Sequence, residues 1–542
     1  MSSGQSATPP LGPGSGELGS SEFSGPNGLS PSTPARPRRS RWWWVAAGLA
    51  SVVAGLGAAE LTAALLAPSG SPLLVVGSLV IDIVPGWVKD AVIALFGTAD
   101  KAVLLITLAL LVVALAGLAG ILERVRPPFG RVLIALIGLV GVVAAVTRSN
   151  ARQLDAAPSL VAIVIAVIVL GWLGKRLVFF TEEDVALGRR RFLIAAGSTA
   201  AIGLLAVLGG RMLTAGRQAT QAVRSAFTLP KAATPASTPV AGAALDVPGL
   251  TPLVTPSADF YRIDTALQVP IVDPKSWSLK IFGMVDTEVT ITFDQLVALP
   301  LEESYTTLAC VSNYVGGDLI GNAKWLGYPI RELLKRAGPQ QSADMVLSTS
   351  ADGFTASTPL SVLSDDRNAI LAIGMNGEPL PFEHGYPVRM VVPGLYGYVS
   401  ATKWVTQLEV TTFAKHTAYW TDRGWSERGP VKLSSRIDVP KGGGDTVRAG
   451  TVVVAGVAWA QHTGIGGVQL RVDDGPWNDA ELADAISADT WRQWRWSWPA
   501  QAGHHVLSVR AIDANGTVQT AAVADVVPDG ATGLHSIDLT VS

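Results

Sequence analysis

The chain carries a single thiol, Cys310, and its surroundings are where chemistry could begin. In Thr307-Leu308-Ala309-Cys310-Val311-Ser312-Asn313-Tyr314-Val315-Gly316-Gly317 the sulfur stands where a strand gives way to a glycine-rich loop. Such a loop lets a large ligand approach the backbone. A thiolate is a soft metal donor, although residue type alone equally describes a small buried hydrophobe. One cysteine excludes an intrachain disulfide and also four-cysteine zinc or iron-sulfur sites, which need several thiolates at short spacing. The histidines, His384, His416, His462, His504, His505 and His535, all lie beyond residue 380. The apolar first half therefore offers no imidazole for bis-histidine haem ligation, and no haem is expected there.

The elements that must position Cys310 follow from composition. The chain has 542 residues, 49% apolar and only 15% charged, too lean in charge to be wholly water-exposed. Residues 1–35 are rich in Gly, Ser and Pro and read as a disordered cytoplasmic tail. Apolar runs follow from Trp42 to Ala67 and at about 102–122, 131–147, 159–174 and 192–210, giving an all-α membrane domain over 42–212. As helices, each spans about 30 Å of hydrocarbon. The stretch 72–97 is interrupted by Asp82, Pro85, Lys89 and Asp90 and reads as interfacial or re-entrant.

With five spans and the N-terminus inside, Arg36 to Arg41, Glu123 to Arg131 and Lys175 to Arg191 fall in the cytoplasm; Lys89, Lys101, Arg148 and Arg152 fall outside, accompanied by acids. The C-terminal part is then exported from a multi-pass protein of the cell membrane. Arg189-Arg190-Arg191-Phe192-Leu193, before the last span, resembles a twin-arginine export signal kept as an anchor. An ordinary positive-inside cluster reads the same residues otherwise. Net charge is −2 and no basic block stands clear of the apolar runs, so a nucleic-acid partner is excluded.

Residues 213–256 are Ala/Thr/Pro-rich and predict a semi-extended linker. Over 257–430, short runs such as Val388 to Val392 and Trp404 to Thr411 alternate with turns and brief helices at Thr292 to Leu299 and Pro329 to Ala337, an α+β domain. Over 431–542 helix signals fade. Val468, Leu470 and Val472 alternate before Asp474-Gly475, Trp494, Trp496 and Trp498 share a strand face, and Asn515-Gly516 marks a hairpin, an all-β immunoglobulin-like pattern.

The segment around Cys310, continued by Ala323-Lys324-Trp325-Leu326-Gly327, resembles the sulfite oxidase family of molybdopterin enzymes. The likeness extends through His384-Gly385-Tyr386-Pro387-Val388-Arg389, Val391-Val392-Pro393-Gly394, Lys403-Trp404, Ala455 to Ala460 and Trp491-Arg492-Gln493-Trp494. It covers about residues 250–542. The resemblance implies that Cys310 ligates molybdenum already held by two pterin sulfurs. It also implies that His384, Arg389, Thr402 and Lys403 hold the pterin and its phosphate. Asp259-Phe260-Tyr261-Arg262-Ile263-Asp264 resembles an early family segment, which makes Asp259 a cofactor-facing candidate and Arg262 a cofactor- or oxyanion-facing one. Without the resemblance, Arg389 would be a strand residue paired with a carboxylate and Arg262 an exposed strand arginine.

Two departures stand out. Tyr314 and Val315 occupy places where the oxidase branch carries an arginine pair, and Trp425 falls near its active-site tyrosine. Arg423 and Arg428 are candidates to supply the missing charge. The expected activity is oxygen-atom or two-electron transfer on a small molecule, by sulfite oxidation or sulfoxide-type reduction. No cytochrome domain accompanies the catalytic part, so a separate redox partner is implied, and the β-rich part implies a possible homodimer. The alternatives are a cofactor-free surface protein for binding or adhesion, and a transporter with an exported accessory. The spans hold few ionisable groups for transport, chiefly Glu60.

Overall fold

The computed structural model describes residues 41–542 apart from 68–69, 86–87, 89–90, 93–94, 97–99, 148–152, 179–184, 214–221, 267–268 and 443–445. The tail expected at 1–35 and the loop charges Lys89, Asp90, Arg148 and Arg152 lie outside these residues. Five helices, Arg41–Leu66, Asp100–Val125, Phe129–Val146, Ala157–Val178 and Val185–Leu213, are long and apolar enough to cross a membrane. The first is the hub, packing along the second, fourth and fifth of them. Small residues make this possible: a Cβ at Gly48 would collide with the Ala116 carbonyl, and one at Gly120 with that of Trp44. Large side chains such as Ile106, Leu110, Leu136, Ile168 and Leu205 point outward, the arrangement an apolar solvent favours.

The shorter helix Pro72–Ile83 packs Val75 against Ala144 and Ala145 of Phe129–Val146. Buried Glu123 is matched by Arg131, whose Nε lies 2.8 Å from it. Arg190 and Arg191 are exposed, whereas Phe192 of the same motif is buried edge-on against Trp43.

Beyond the bundle, residues 230–256 run mostly extended but are fastened in place. Ala233 donates to the Leu301 carbonyl and Thr255 to that of Asn322, and the Leu253 carbonyl accepts from the Asn322 amide and the Trp491 indole. The segment expected as a spacer is thus stitched to two domains, because its backbone finds partners that Pro and Ala side chains do not supply.

The central domain contains β1 (Ser278–Gly283), β2 (Val289–Thr292), β3 (Glu302–Ala309), β4 (Ile320–Pro329), β5 (Met345–Ser350), β6 (Thr355–Pro359), β7 (Ile370–Met375), β8 (Glu378–Pro379), β9 (Arg389–Val391) and β10 (Val405–Thr411). One sheet runs β2-β1-β10-β5-β6, with β1 and β10 parallel; the other runs β3-β4-β7-β8, with β9 beside β7. Helices appear where predicted. Phe293–Val297 starts at a capping box between Thr292 and Gln295, and Ile330–Ala337 ends on left-handed Gly338.

The C-terminal region is β-rich. Strands β11 (Ser434–Val439), β12 (Thr446–Val447), β13 (Gly450–Trp459), β14 (Ile465–Val472), β15 (Asn478–Asp479), β16 (Glu481–Leu482), β17 (Arg492–Ala500), β18 (Gly503–Asp513) and β19 (His535–Val541) form sheets β11-β13-β17-β16 and β12-β19-β18-β14-β15. Val454, Trp494 and Trp498 from one meet Val468, Leu470, Leu507 and Leu539 from the other in a common core. Trp459 and Trp491 instead join the central domain's core, so the two units share buried surface.

Candidate functional site

Cys310 follows the last residue of β3 and is buried. Its N–H donates to the Leu319 carbonyl at 2.9 Å, and the Asn313 side-chain oxygen accepts from the Leu319 N–H at 2.8 Å. These bonds close 310–319 into a compact loop at the end of the β3–β4 ladder. Inside that ladder Thr307 donates its hydroxyl to Asn322, the residue opposite it, and accepts from the Trp491 N–H. The Thr, Cys and Asn of the motif are therefore parts of one brace.

The β-rich region holds the loop from the other side. Arg436 donates to the Gly317 carbonyl at 2.7 Å while its Nε pairs with Asp438. Gly316 has φ +79°, and a Cβ there would collide with the His535 ring. Burial pushes the Cys310 thiol above its ordinary range, partly offset by hydrogen bonds from Ser312 and Val311.

A cationic cluster gathers on the β7–β9 side. Arg389 is 5% exposed, sits 5.0 Å above the Trp325 ring, and donates to the carbonyls of Met390 and His384, each at 3.3 Å. No carboxylate lies within ion-pair distance of it among the described residues, so the paired strand arginine is not what the fold builds. Burial draws its pKa down to about 10. His384 packs edge-on against Phe260 and its Nε2 lies 3.1 Å from the Ser257 carbonyl. Burial, then Arg389 and Lys403, lowers it to about 4, so the ring is neutral at pH 7.

Lys403 donates to Asp264 at 2.9 Å and to the Glu383 carbonyl at 3.1 Å, and burial outweighs Asp264 in bringing it to about 8. Thr402 is fully buried, its hydroxyl 2.7 Å from that of Ser348. Arg262 is exposed, as the reading without the resemblance had it, and bonded to Asp264, but it lies outside any strand. Asp259 is exposed, and its N–H donates to the Pro256 carbonyl. The fold thus gathers His384, Arg389, Lys403 and Arg262, buries Thr402 against Ser348, and leaves Asp259 at the surface.

Two tyrosines complete the site. Tyr261 stacks on Phe260, and its phenol is pushed up by burial and by the Cys310 sulfur while Arg389 pulls it down. It therefore stands within electrostatic reach of both the thiol and the guanidinium. Tyr396 is raised to about 12, chiefly by burial, with Cys310 and Asp529 contributing. Neither tyrosine is marked by spacing, since tertiary approach alone brings them to Cys310; the aromatic run Phe260-Tyr261 was the only signal for the first.

A small cleft beside Cys310 is lined by Ala309, Asn313, Tyr314, Val315, Tyr396, Ser434, Trp459 and Ala531. Both residues that replace the arginine pair therefore face it. Trp425 packs instead on Tyr398 and Trp420. Arg423 is engaged by the Tyr419 carbonyl and ring, and Arg428 by Glu427 and the Phe413 ring, so neither lends its charge to the cleft. No group of three or more His, Cys, Asp or Glu converges among the described residues. A metal at Cys310 would have to bring most of its ligands with it.

Residues 266–420 match the family described as oxidoreductase molybdopterin binding domain. That stretch includes Cys310, His384, Arg389, Thr402 and Lys403 and excludes Asp259 to Asp264. The oxidoreductase YuiH of Bacillus subtilis is 32% identical over 168 residues, 30% of this chain and 80% of that protein. Mitochondrial sulfite oxidase of Homo sapiens is 29% identical over 325 residues, 50% of this chain and 58% of the relative, so this chain spans a little over half of that protein's length. Among solved structures, the sulfane dehydrogenase SoxCD from Paracoccus pantotrophus aligns over 52% of this chain and 79% of that one, at 23% identity and a TM-score of 0.44.

Proposed function

The chain belongs to the molybdopterin-binding oxidoreductase family, and we propose that it is a membrane-anchored enzyme whose exported domain carries out oxygen-atom or two-electron transfer on a small substrate. Cys310 is the single protein ligand to molybdenum in this reading. Arg389, Lys403 and His384 hold the anionic end of the pterin, with Thr402 and Arg262 beside them. The observation that carries it is Arg389: a guanidinium 5% exposed with, among the described residues, carbonyl acceptors and no carboxylate partner. A buried cation without a counter-ion is costly, and an anion arriving at it removes that cost. A soft thiol in the same site suits a metal that brings sulfur ligands of its own.

When bound, the cofactor would supply the two-electron chemistry. The protein's part is to bind, orient and keep out water. Arg389 offers a planar fork over Trp325, while Asp264 holds the Lys403 ammonium and Arg262 in one place. Neutral His384 can donate or accept one hydrogen bond without adding charge. Sulfite oxidation and sulfoxide-type reduction both fit this inventory. Electrons pass to or from a separate redox protein, and the β-rich region is a candidate surface for a homodimer.

The basic clusters at Glu123 to Arg131 and Lys175 to Arg191 favour the cytoplasmic side, which after five crossings leaves Cys310 outside. Arg189 to Leu193 acts here as a retained twin-arginine signal. Metal and pterin analysis of the purified protein tests the central claim: about one molybdenum and one pterin per chain are expected, with Cys310→Ser abolishing activity in a folded protein. A folded, metal-free exported domain would leave the cofactor-free adhesion reading in its place. Alkaline phosphatase fused after residue 230 should be active, and inactivity overturns the topology.

A further inference from the structure

The segment leading from the membrane bundle into the catalytic domain touches both arms of the candidate site. On the Cys310 side it lies along β3: Ala233 donates to the Leu301 carbonyl and Glu303 to the Thr234 carbonyl, each at 2.8 Å, with a parallel bridge between Thr234 and Glu302. From there β3 runs to Ala309, the residue before the thiol. Leu229 lies against β7, 2.6 Å from where a Cβ on Gly374 would stand, and the Phe227 ring packs on Phe293 at 5.3 Å. At the far edge of the same sheet, Arg224 of a short helix over 222–226 donates from Nε to the Leu380 carbonyl at 2.8 Å and from Nη2 to the Pro379 carbonyl at 2.9 Å.

Pro379 and Leu380 open the turn on which the cationic cluster rests. The carbonyls of Phe382, Glu383 and His384 accept in succession from the Trp404 indole, the Lys403 ammonium and the Arg389 guanidinium. These acceptors keep their places only as well as the turn does. Its start is held from one side by the Leu380 N–H, which donates to the Ile373 carbonyl at 3.1 Å, and from the other by Arg224. Tyr386, at the other end, is fully buried, but its phenol has no hydrogen-bond partner among the described residues and adds no pin of its own. A guanidinium fork across two consecutive carbonyls fixes both the position and the direction of that backbone, which an apolar contact does not.

We propose that Arg224 is a positioning residue for the cofactor site, and that residues 222–236 form a strap by which the membrane anchor keeps the turn beneath Arg389 and Lys403 in register with β3 and Cys310. The role of the cluster rests on the functional reading above, whereas the contacts do not. With the strap loosened, the carbonyls of Phe382 to His384 drift from their donors, and an anion held by Arg389 and Lys403 escapes more readily.

Full-length protein in detergent, made with and without pterin synthesis, tests this through Arg224→Ala and Arg224→Lys. In the pterin-free form the amides of Leu380, His384, Gly385 and Tyr386, all bonded in or beside the turn, should exchange hydrogen about tenfold faster in Arg224→Ala. That is about the scale of two bonds lost from a charged donor at a site that opens locally. The amide of Leu470, in the core of the β-rich region, should exchange as before. In the loaded form pterin release should quicken about tenfold. Arg224→Lys should recover part of both effects, because an ammonium can still donate to one carbonyl. If the alanine variant does not fold, Arg224→Gln should act in the same direction. Turn amides that exchange as in the parent protein overturn the inference, as does faster exchange shared with Leu470, which makes Arg224 an ordinary support of the whole fold. Pterin release unchanged despite faster exchange of the turn also overturns it. Protein that takes up no pterin overturns the functional reading instead and leaves the exchange rates to decide the strap.

Discussion

Replacing Arg389 by leucine should have opposite effects on the empty and the loaded protein. Burial lowers the guanidinium from its ordinary 12.5 to about 10. At about 1.4 kcal/mol per pH unit, that depression represents roughly 3 kcal/mol of desolvation carried at neutral pH. Against it stand the Trp325 face, about 1 kcal/mol, and two long carbonyl bonds worth together about 1 kcal/mol at 3.3 Å. In protein made without pterin synthesis, Arg389→Leu should therefore stabilise the catalytic domain by about 1 kcal/mol, a rise of about 3 °C in Tm. In the loaded protein the same change removes charge-assisted bonds to an anion and should weaken cofactor retention about ten- to a hundredfold. Scanning calorimetry on the empty form and timed pterin release from the loaded form read the two arms. If the empty variant is less stable by about 2 kcal/mol or more, the guanidinium is a structural group and the argument from its missing counter-ion fails.

Titration gives two further expectations. His384 holds a proton only below about 4 when folded, against 6.5 when unfolded, so the unfolded chain binds the extra proton between those values. Stability of the cofactor-free protein should fall as pH drops from 6.5 to 4, by about 3 kcal/mol at most, and His384→Gln should flatten that slope in urea titrations. Lys403 loses its proton near 8 when folded and near 10.5 when unfolded, so rising pH across that window favours the folded state. A bound anion favours the charged ammonium, so pterin release from the loaded protein should quicken only at a pH above the value of about 8 that Lys403 has without it. Gly316→Ala forces a side chain onto a φ of +79° and against His535. It should cost about 1–3 kcal/mol and lower molybdenum content, whereas Gly377→Ala, also at positive φ but in open space, should cost less and leave the metal unchanged.

Periodicity made much of the architecture legible. The five apolar runs became the five membrane-length helices, because a backbone in lipid must satisfy its own hydrogen bonds. Thr292 and Gly338 bound their helices through local caps that need no tertiary partner. The segment after the last span was less legible. Its Ala/Thr/Pro content predicts a semi-extended spacer and says nothing of partners, whereas its peptide groups bond to Leu301, Asn322 and Trp491, residues far away in sequence. Asp259 was singled out by its segment and stands exposed, whereas its neighbour Tyr261 turns inward toward Cys310.

The family resemblance alone marked the basic trio, whereas the sequence by itself determined that one thiol sits at a strand end before a glycine-rich loop and that a membrane domain precedes it. These are properties of residue type and short spacing. Only the tertiary structure decided that Arg389 meets no carboxylate among the described residues, that Lys403 and Arg262 share Asp264, that Arg436 and His535 brace the thiol loop from another domain, and that Tyr314 and Val315 face a cleft whose described lining holds no cation. The reason is physical. Helix and strand signals arise from neighbours a few residues apart, whereas the compensation of a buried charge depends on which groups approach within about 4 Å, and for Lys403 and Arg436 those include Asp264 and Gly317, more than a hundred residues away.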